Sequence, residues 1–129
     1  TVNQCEDGWD EYNDYCYKFV RKAAKWSMAK FMCHEQGAVL ASIKGRPENG
    51  FISRRFSNAW IGLHKTGRSW TWIGGSPLTY KNWAPSEPNN YLNRREYCVY
   101  MLLKPWRKRG KWNDVTCGSA RPYICKKPK

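Results

Sequence analysis

The chain has 129 residues and a mass of 15.2 kDa, which is enough for one compact domain over residues 1–129. Its 41% hydrophobic and 16% aromatic content predicts a packed core, and its longest apolar runs, residues 38–43 and 99–103, are far shorter than the ~20 residues of a membrane span. A formal net charge of +13 favours acidic partners or, in the plainer alternative, only keeps the protein soluble.

The first elements are a β-hairpin and a helix. Residues 5–20 predict the hairpin, because the turn-forming Asn13 and Asp14 separate two stretches rich in aromatic residues. Residues 22–36 contain good helix formers and predict a helix that ends at Gly37. Its buried face would consist of Trp26, Ala29 and Cys33.

Shorter elements follow. Residues 38–43 predict a buried strand, and a second helix is expected to begin near Pro47. Residues 80–95 lack periodicity, and a loop of that length inside a compact domain is usually functional. The remaining strands are predicted at residues 59–63, 69–73, 96–103, 111–117 and 122–126. Helices early in the chain and strands late predict an α+β domain.

The chain has six cysteines, and their spacing favours disulfides over zinc. The cysteines are Cys5, Cys16, Cys33, Cys98, Cys117 and Cys125. They form no Cys-x₂-Cys pair, and only His34 and His64 could complete a tetrahedral zinc site. An even number of cysteines in a small domain predicts disulfides and an extracellular, secreted protein. Six cysteines allow 15 pairings. The start at Thr1 predicts a processed mature chain.

Oxygen-bearing side chains cluster in three short motifs of the basic part of the chain. These are Glu87-Pro88-Asn89, Glu96 two residues before Cys98, and Trp112-Asn113-Asp114. Carboxylate and amide oxygens are the ligands that Ca²⁺ prefers, whereas zinc prefers His and Cys. If Cys98 and Cys117 were bridged, the last two motifs would lie close together. The sequence therefore predicts a calcium site.

These motifs make the chain resemble the C-type lectin domain family from Cys5 to Cys125. Further matches are the Cys5-x₁₀-Cys16 opening, Trp60-Ile61-Gly62-Leu63 and Pro122-Tyr123-Ile124-Cys125. The resemblance implies the double-loop fold, with two helices flanking small antiparallel sheets. It also implies the long form of the domain, with bridges Cys5–Cys16, Cys33–Cys125 and Cys98–Cys117.

The resemblance further implies a function at the calcium site. Glu87, Asn89, Glu96, Asn113 and Asp114 match the family's sugar-binding calcium ligands one by one. In the family, Glu-Pro-Asn accompanies sugars with equatorial 3- and 4-hydroxyls, such as mannose, GlcNAc and glucose, and Gln-Pro-Asp accompanies galactose. One calcium is expected, because Asn90 and Tyr97 stand where members with an auxiliary site often carry acids.

The segment between the last two motifs is strongly basic. Its Lys and Arg residues are Arg94, Arg95, Lys104, Arg107, Lys108, Arg109 and Lys111, with Glu96 as the sole acid. Such a basic rim beside the site would attract sulfated or phosphorylated glycans, because guanidinium groups pair with these anions. Trp106 lies in the turn of residues 104–111, here called the basic turn, and is predicted either to stack on a sugar or partner or to be a buried anchor.

Two functional classes compete. The first is a calcium-dependent, mannose-type lectin. The alternative is a calcium-independent basic module that binds polyanions, membranes or minerals, as antimicrobial or toxin-like proteins do. Nucleic acid is not an expected partner, and any oligomer would be non-covalent because the implied bridges use all six cysteines. No enzyme is expected, since neither His34 nor His64 has a neighbouring acid or nucleophile in a catalytic pattern.

Overall fold

The computed structural model describes residues 4–56, 58–85, 87–88 and 97–129. Within these residues lie two α-helices, α1 (Trp26–Glu35) and α2 (Arg46–Arg55), a 3₁₀ helix (Trp106–Lys108) and eight strands. Neither described α-helix has the length and apolarity that crossing a membrane requires. The strands are β1 (Asp10–Tyr12), β2 (Tyr15–Ala24), β3 (Val39–Leu40), β4 (Ala59–Thr66), β5 (Ser69–Trp72), β6 (Tyr97–Met101), β7 (Trp112–Thr116) and β8 (Arg121–Pro128).

The strands form one connected, mixed sheet. Its order is β1-β2-β8-β4-β6-β7, with β3 also paired to β8 and β5 to β4. Strands β2 and β8 pair antiparallel, which brings the two ends of the domain together. Strand β4 pairs with β8 in parallel at Trp60 and Tyr123. The sheet is therefore mixed, whereas antiparallel sheets were expected. Strand β7 is the last strand in this order, and its outer edge pairs with the loop that precedes β6.

The first hairpin and the apolar face of α1 are confirmed, but the helix begins later than predicted. Trp26, Ala29 and Cys33 are buried as expected, and Gly37 follows the helix with a φ of +71°. Residues 22–24 belong to β2 instead, because Ala24 pairs with Arg121 of β8. Pairing within the sheet therefore overrides the helix propensity of these residues.

One further prediction needs correction. The buried strand at 38–43 shrinks to β3, although Ala41 and Ile43 are fully buried beyond its end. After the first hairpin, the order of helices early and strands late is confirmed, and the ten-residue β2 of that hairpin pairs along β8. The α+β class still holds, and α2 begins at Arg46, next to Pro47.

Three disulfides join distant parts of the domain, with the pairing that the resemblance implied. Cys5–Cys16 closes the first hairpin, and Cys33–Cys125 ties α1 to β8 across 92 residues. Cys98–Cys117 links β6 to the end of β7, across 19 residues. The described cysteines include no free thiol. Bridges that close long loops restrict the unfolded chain most strongly.

A buried polar network that the sequence did not reveal anchors α2 to β2 and β8. The Glu48 carboxylate accepts from the Tyr17 hydroxyl at 2.5 Å and the Lys44 backbone N–H at 2.8 Å. It also pairs with the Lys126 ammonium at 2.6 Å, and this lysine is only 3% exposed. Lys126 donates in addition to the Ser42 carbonyl at 3.0 Å. Each buried charge therefore has a partner, which is the condition under which it can be tolerated.

Candidate calcium and glycan site

The loop that carries Glu87 is attached to the edge of β7. The Trp112 backbone N–H donates to the Asn82 carbonyl at 2.9 Å, and the Ala84 N–H donates to the Trp112 carbonyl at 2.8 Å. Trp83 and Trp112 thus form an isolated parallel bridge. A turn then follows, in which the Glu87 N–H donates to the Ala84 carbonyl at 2.9 Å. These bonds bring Glu87 towards the end of β7 that carries Asn113 and Asp114.

An aromatic cluster holds this edge in place. The Trp112 ring is fully buried and makes edge-on contacts with Trp72, Tyr80 and Trp83 at centroid distances of 5.6–5.8 Å. Its indole N–H donates to the Asn49 side-chain oxygen at 2.8 Å. Edge-to-face contacts and a satisfied indole N–H fix a ring in one orientation. These contacts therefore fix the Trp112 side chain directly before Asn113 on β7.

The predicted ligands on β7 differ in their surroundings. Asp114 is only 5% exposed, and a buried carboxylate requires compensating partners. The Asn113 amide nitrogen donates to the Tyr100 hydroxyl at 3.0 Å. The Asn113 side-chain oxygen is buried and accepts no hydrogen bond from any described residue. An oxygen in this state is suited to a hard cation, so the donors on β7 fit calcium.

Only part of the predicted ligand set can be located. Glu87 is half-buried, and its bond to Pro88 is cis. Asn89 and Glu96 lie outside the described residues, as does Asn90. Tyr97 is buried at the start of β6. Within the described ranges no group of three or more His, Cys, Asp or Glu side chains is placed to hold a metal. Of the predicted ligands, the structure describes Glu87, in the turn that follows the Trp83–Trp112 bridge, and Asn113 and Asp114 on β7.

The described part of the basic rim folds against α2 and the Asn82 loop. Arg109 donates from Nε to the Ser53 carbonyl at 3.1 Å. The Gly110 carbonyl accepts from the side-chain amides of Asn49, at 3.0 Å, and Asn82, at 2.8 Å. Lys111 donates to the Asn82 side-chain oxygen at 3.0 Å, so its ammonium group is engaged. The rim residues Lys104, Arg107 and Arg109 are exposed, Lys108 is half-buried, and Arg94 and Arg95 lie outside the described residues.

Trp106 is an exposed residue and not a buried anchor. It is 79% exposed, by far the highest value among the large hydrophobic residues described. Its exposure excludes the buried-anchor alternative and leaves the indole available on the surface.

The two histidines have different environments. His34 lies exposed on α1. His64 packs on the Trp26 ring at a centroid distance of 5.0 Å, and burial, with a smaller contribution from Lys30, lowers its pKa. His64 is therefore neutral at pH 7 and serves the packing of α1 against β4.

Several residues of this region were not singled out by the sequence. Asn49, Asn82 and Tyr100 supply the polar contacts that position the loop, the basic turn and Asn113. Asn49 looks like an ordinary surface residue of an amphipathic helix in the sequence. Only the fold shows that it faces Trp112.

Comparison with known proteins identifies the family. The model of the Lectin C-type domain matches residues 22–127. The chain belongs to the C-type lectin domain family. C-type lectins are a non-enzymatic family, so the comparison gives no support to catalysis.

Relatives of this C-type lectin domain occur in proteins of very different length. The C-type lectin lectoxin-Lio1 of Erythrolamprus poecilogyrus is 37% identical over 133 residues, which cover 95% of this chain and 80% of the lectoxin. The versican core protein of Rattus norvegicus is 36% identical over 123 residues, which cover 93% of this chain but only 4% of versican.

Solved structures of similar C-type lectin domains differ in their relation to calcium and sugar. The cow CD23 carbohydrate-recognition domain, determined in the presence of a GlcNAc2Man3 oligosaccharide, is 33% identical with a TM-score of 0.87, covering 99% of this chain and 98% of that one. A calcium-independent type II antifreeze protein is 27% identical with the same TM-score, covering 99% and 97%. Structures similar to this chain thus include both a carbohydrate-recognition domain and a calcium-independent protein.

Proposed function

We propose that this domain binds glycans through one calcium ion held by Glu87, Asn89, Glu96, Asn113 and Asp114. The main support is the attachment of the Glu87 loop to β7 by the Asn82, Ala84 and Trp112 backbone bonds, because Trp112 directly precedes Asn113 and Asp114. The second support is the side-chain oxygen of Asn113, which is buried and accepts no hydrogen bond from a described residue.

The residue types explain how a sugar would be held. When bound, calcium supplies coordination positions for two neighbouring hydroxyl oxygens of the sugar. The carboxylates of Glu87 and Glu96 accept hydrogen bonds from those hydroxyls, and the amide groups of Asn89 and Asn113 donate to them. Asp114, buried on β7, contributes charge to the cation and fixes its position.

The order of acid and amide determines the sugar class. Glu87-Pro88-Asn89 has the order found with mannose, GlcNAc and glucose, so these are the proposed ligands. The cationic rim, in which Arg107 is exposed, favours sulfated or phosphorylated forms of these sugars.

Binding to mannan beads tests this proposal. In millimolar calcium, the concentration range of weak extracellular sites, the protein is expected to be retained and to elute with chelator or free mannose. Retention that survives chelator and mannose would contradict it. The same column loaded with Asp114→Asn protein is the matched control, and it should show no retention.

A calcium-independent polyanion-binding module is the second candidate. The net charge of +13, the exposed Trp106 and the likeness to the calcium-independent antifreeze protein favour it. It predicts salt-sensitive binding to a sulfated matrix in chelator. Mannan beads in calcium separate the two candidates, because only the first predicts retention there.

The disulfides also bear on where this domain acts. We propose that residues 1–129 act as one carbohydrate-recognition domain in an oxidising, extracellular space, as the three disulfides favour. Any assembly of copies would be non-covalent. Neither nucleic acid binding nor chemical conversion of the ligand is part of this proposal.

A further inference from the structure

A cleft that is lined by none of the described calcium ligands Glu87, Asn113 and Asp114 lies between α2 and the basic turn. Its volume is about 450 Å³, and one wall is the C-terminal half of α2 while the other is the 3₁₀ helix and the residue after it. Its lining residues are Ser53, Arg54, Trp106, Arg107 and Arg109. The cleft therefore combines three guanidinium groups with one exposed indole.

The two walls are fastened to each other. Arg109 Nε donates to the Ser53 carbonyl at 3.1 Å, and the Asn49 amide donates to the Gly110 carbonyl at 3.0 Å. Gly110 has a φ of +88°, and a Cβ there would lie 3.1 Å from the Cβ of Ser53. The turn therefore sits directly on the helix, and the cleft is formed before any ligand arrives.

The guanidinium groups are available for an anion. The ion pairs among the described residues join Asp10, Glu6, Glu11 and Glu48 to cations elsewhere, and none includes Arg54, Arg107 or Arg109. Arg54 extends back along the helix over Gly50, where a Cβ would meet its Nη2 at 3.2 Å. Arg109 uses Nε for Ser53, which leaves its two terminal nitrogens for a ligand.

The chemistry of the lining selects the ligand. Guanidinium forks match the paired oxygens of sulfate and phosphate esters. The indole of Trp106, at the rim, offers a flat apolar face to a sugar ring that carries such an ester. A concave cleft admits a group that projects from a chain, whereas a flat lipid surface would contact only its rim.

We propose that this cleft binds sulfate or phosphate ester groups on an acidic polysaccharide, without calcium. Arg54, Arg107 and Arg109 bind the ester oxygens, and Trp106 packs on the adjoining sugar ring. Arg54 and Trp106 add to the rim residues named from the sequence, and they make the cleft a site of its own. Its occupation does not depend on the ligands of the calcium site.

Titration with a heparin octasaccharide in chelator tests the proposal, because chelator removes any contribution from calcium. The cleft variant carries Arg54→Gln, Arg107→Gln and Arg109→Gln, which keep the side-chain length and remove three charges. The matched control carries Lys22→Gln, Arg68→Gln and Lys81→Gln, three exposed cations elsewhere on the domain. Thermal unfolding of each variant verifies that the fold is intact.

The expected result is a large and local effect. The cleft variant should bind about tenfold or more weakly than the native protein, and the control within about threefold of it. Trp106→Ala should weaken binding about fivefold through the lost contact. Desulfated, N-acetylated heparin of equal length should not compete.

Three results would overturn the proposal. The first is an equal loss of heparin affinity in the cleft variant and the control. The second is equal binding of native and desulfated heparin. The third is tight, Trp106-dependent binding to phosphatidylserine vesicles, together with unchanged heparin affinity in the cleft variant. A parallel assay on mannan beads in calcium reports separately on the calcium site. A loss of binding in the cleft can therefore be distinguished from a loss of binding at the calcium site.

Discussion

The indole N–H of Trp112 and the side-chain oxygen of Asn49 are joined by a 2.8 Å hydrogen bond between buried groups. Asn49 lies on α2, and Trp112 directly precedes the predicted ligands Asn113 and Asp114 on β7. The same asparagine holds the Gly110 carbonyl of the basic turn at 3.0 Å. One side chain thus sets the position of α2 relative to both candidate binding surfaces.

Replacement of Asn49 should therefore lower stability and weaken ligand binding together. Asn49→Ala leaves the buried Trp112 N–H without its acceptor, and we expect a loss of about 2–3 kcal/mol in the free energy of unfolding. Urea denaturation measures this. Ser69→Ala, at an exposed position at the start of β5, serves as a control and should change stability by less than about 0.5 kcal/mol. A loss in the Asn49 variant no larger than that of the control would contradict the role of the bond.

The Glu48–Lys126 pair predicts a second effect on stability. Lys126→Met should cost about 3 kcal/mol or more, because it leaves the Glu48 carboxylate buried with only its hydrogen-bond donors. The double variant Glu48→Gln with Lys126→Met should recover part of that loss, since no charge then remains buried. Chemical denaturation of the single and double variants measures the coupling. Strictly additive losses would contradict it.

Tyrosine ionisation predicts a loss of stability at alkaline pH. Burial, followed by the hydrogen bond and the charge of Glu48, raises the pKa of Tyr17 well above its usual value of 10.0. Burial also raises the pKa values of Tyr80 and Tyr123. The unfolded chain therefore releases these protons near pH 10 while the folded protein keeps them, so stability falls as pH rises above 10.

Each such tyrosine steepens the fall by up to about 1.4 kcal/mol per pH unit. Tyr17→Phe should remove one of these contributions, which stability curves measured at several alkaline pH values would detect. An unchanged slope in the variant would show that Tyr17 ionises normally in the folded protein.

The order of acid and amide predicts which sugar is bound. The double change Glu87→Gln with Asn89→Asp creates the order that the family uses for galactose. We expect it to lose retention on mannan and to gain retention on galactose beads, both in calcium. The single change Thr79→Ala, at an exposed position outside the turn that leads to Glu87, is the control and should leave mannan binding intact. A double variant that binds neither sugar yet folds normally would count against the assignment.

The sequence predicted the fold best where local pattern and long-range packing agree. Trp26, Ala29 and Cys33 have helical spacing and are also the residues that face the core, so the face of α1 was correct. Residues 22–24 have helix-forming side chains but belong to β2, because Ala24 pairs with Arg121 of β8. No local sequence pattern reveals a pairing partner so far along the chain.

The candidate site was likewise predictable only in part. Its ligand motifs are visible in the sequence because carboxylates are rare in the basic part of the chain, and each stands in a short motif. The supporting residues Asn49, Asn82 and Tyr100 are not visible, since each acts only through a neighbour that the fold supplies. The cleft at Trp106 likewise depends on α2 and the basic turn meeting, which neither segment encodes alone.

Calcium binding at equilibrium shows whether the proposed ligands hold one ion. Isothermal titration of the native protein and of Asp114→Asn, in the absence of sugar, gives the number of ions bound and the dependence on one predicted ligand. We expect one calcium per chain for the native protein, with a higher thermal midpoint in calcium, and no measurable binding by the folded variant. No calcium bound by the native protein, or equal binding by both, would contradict it.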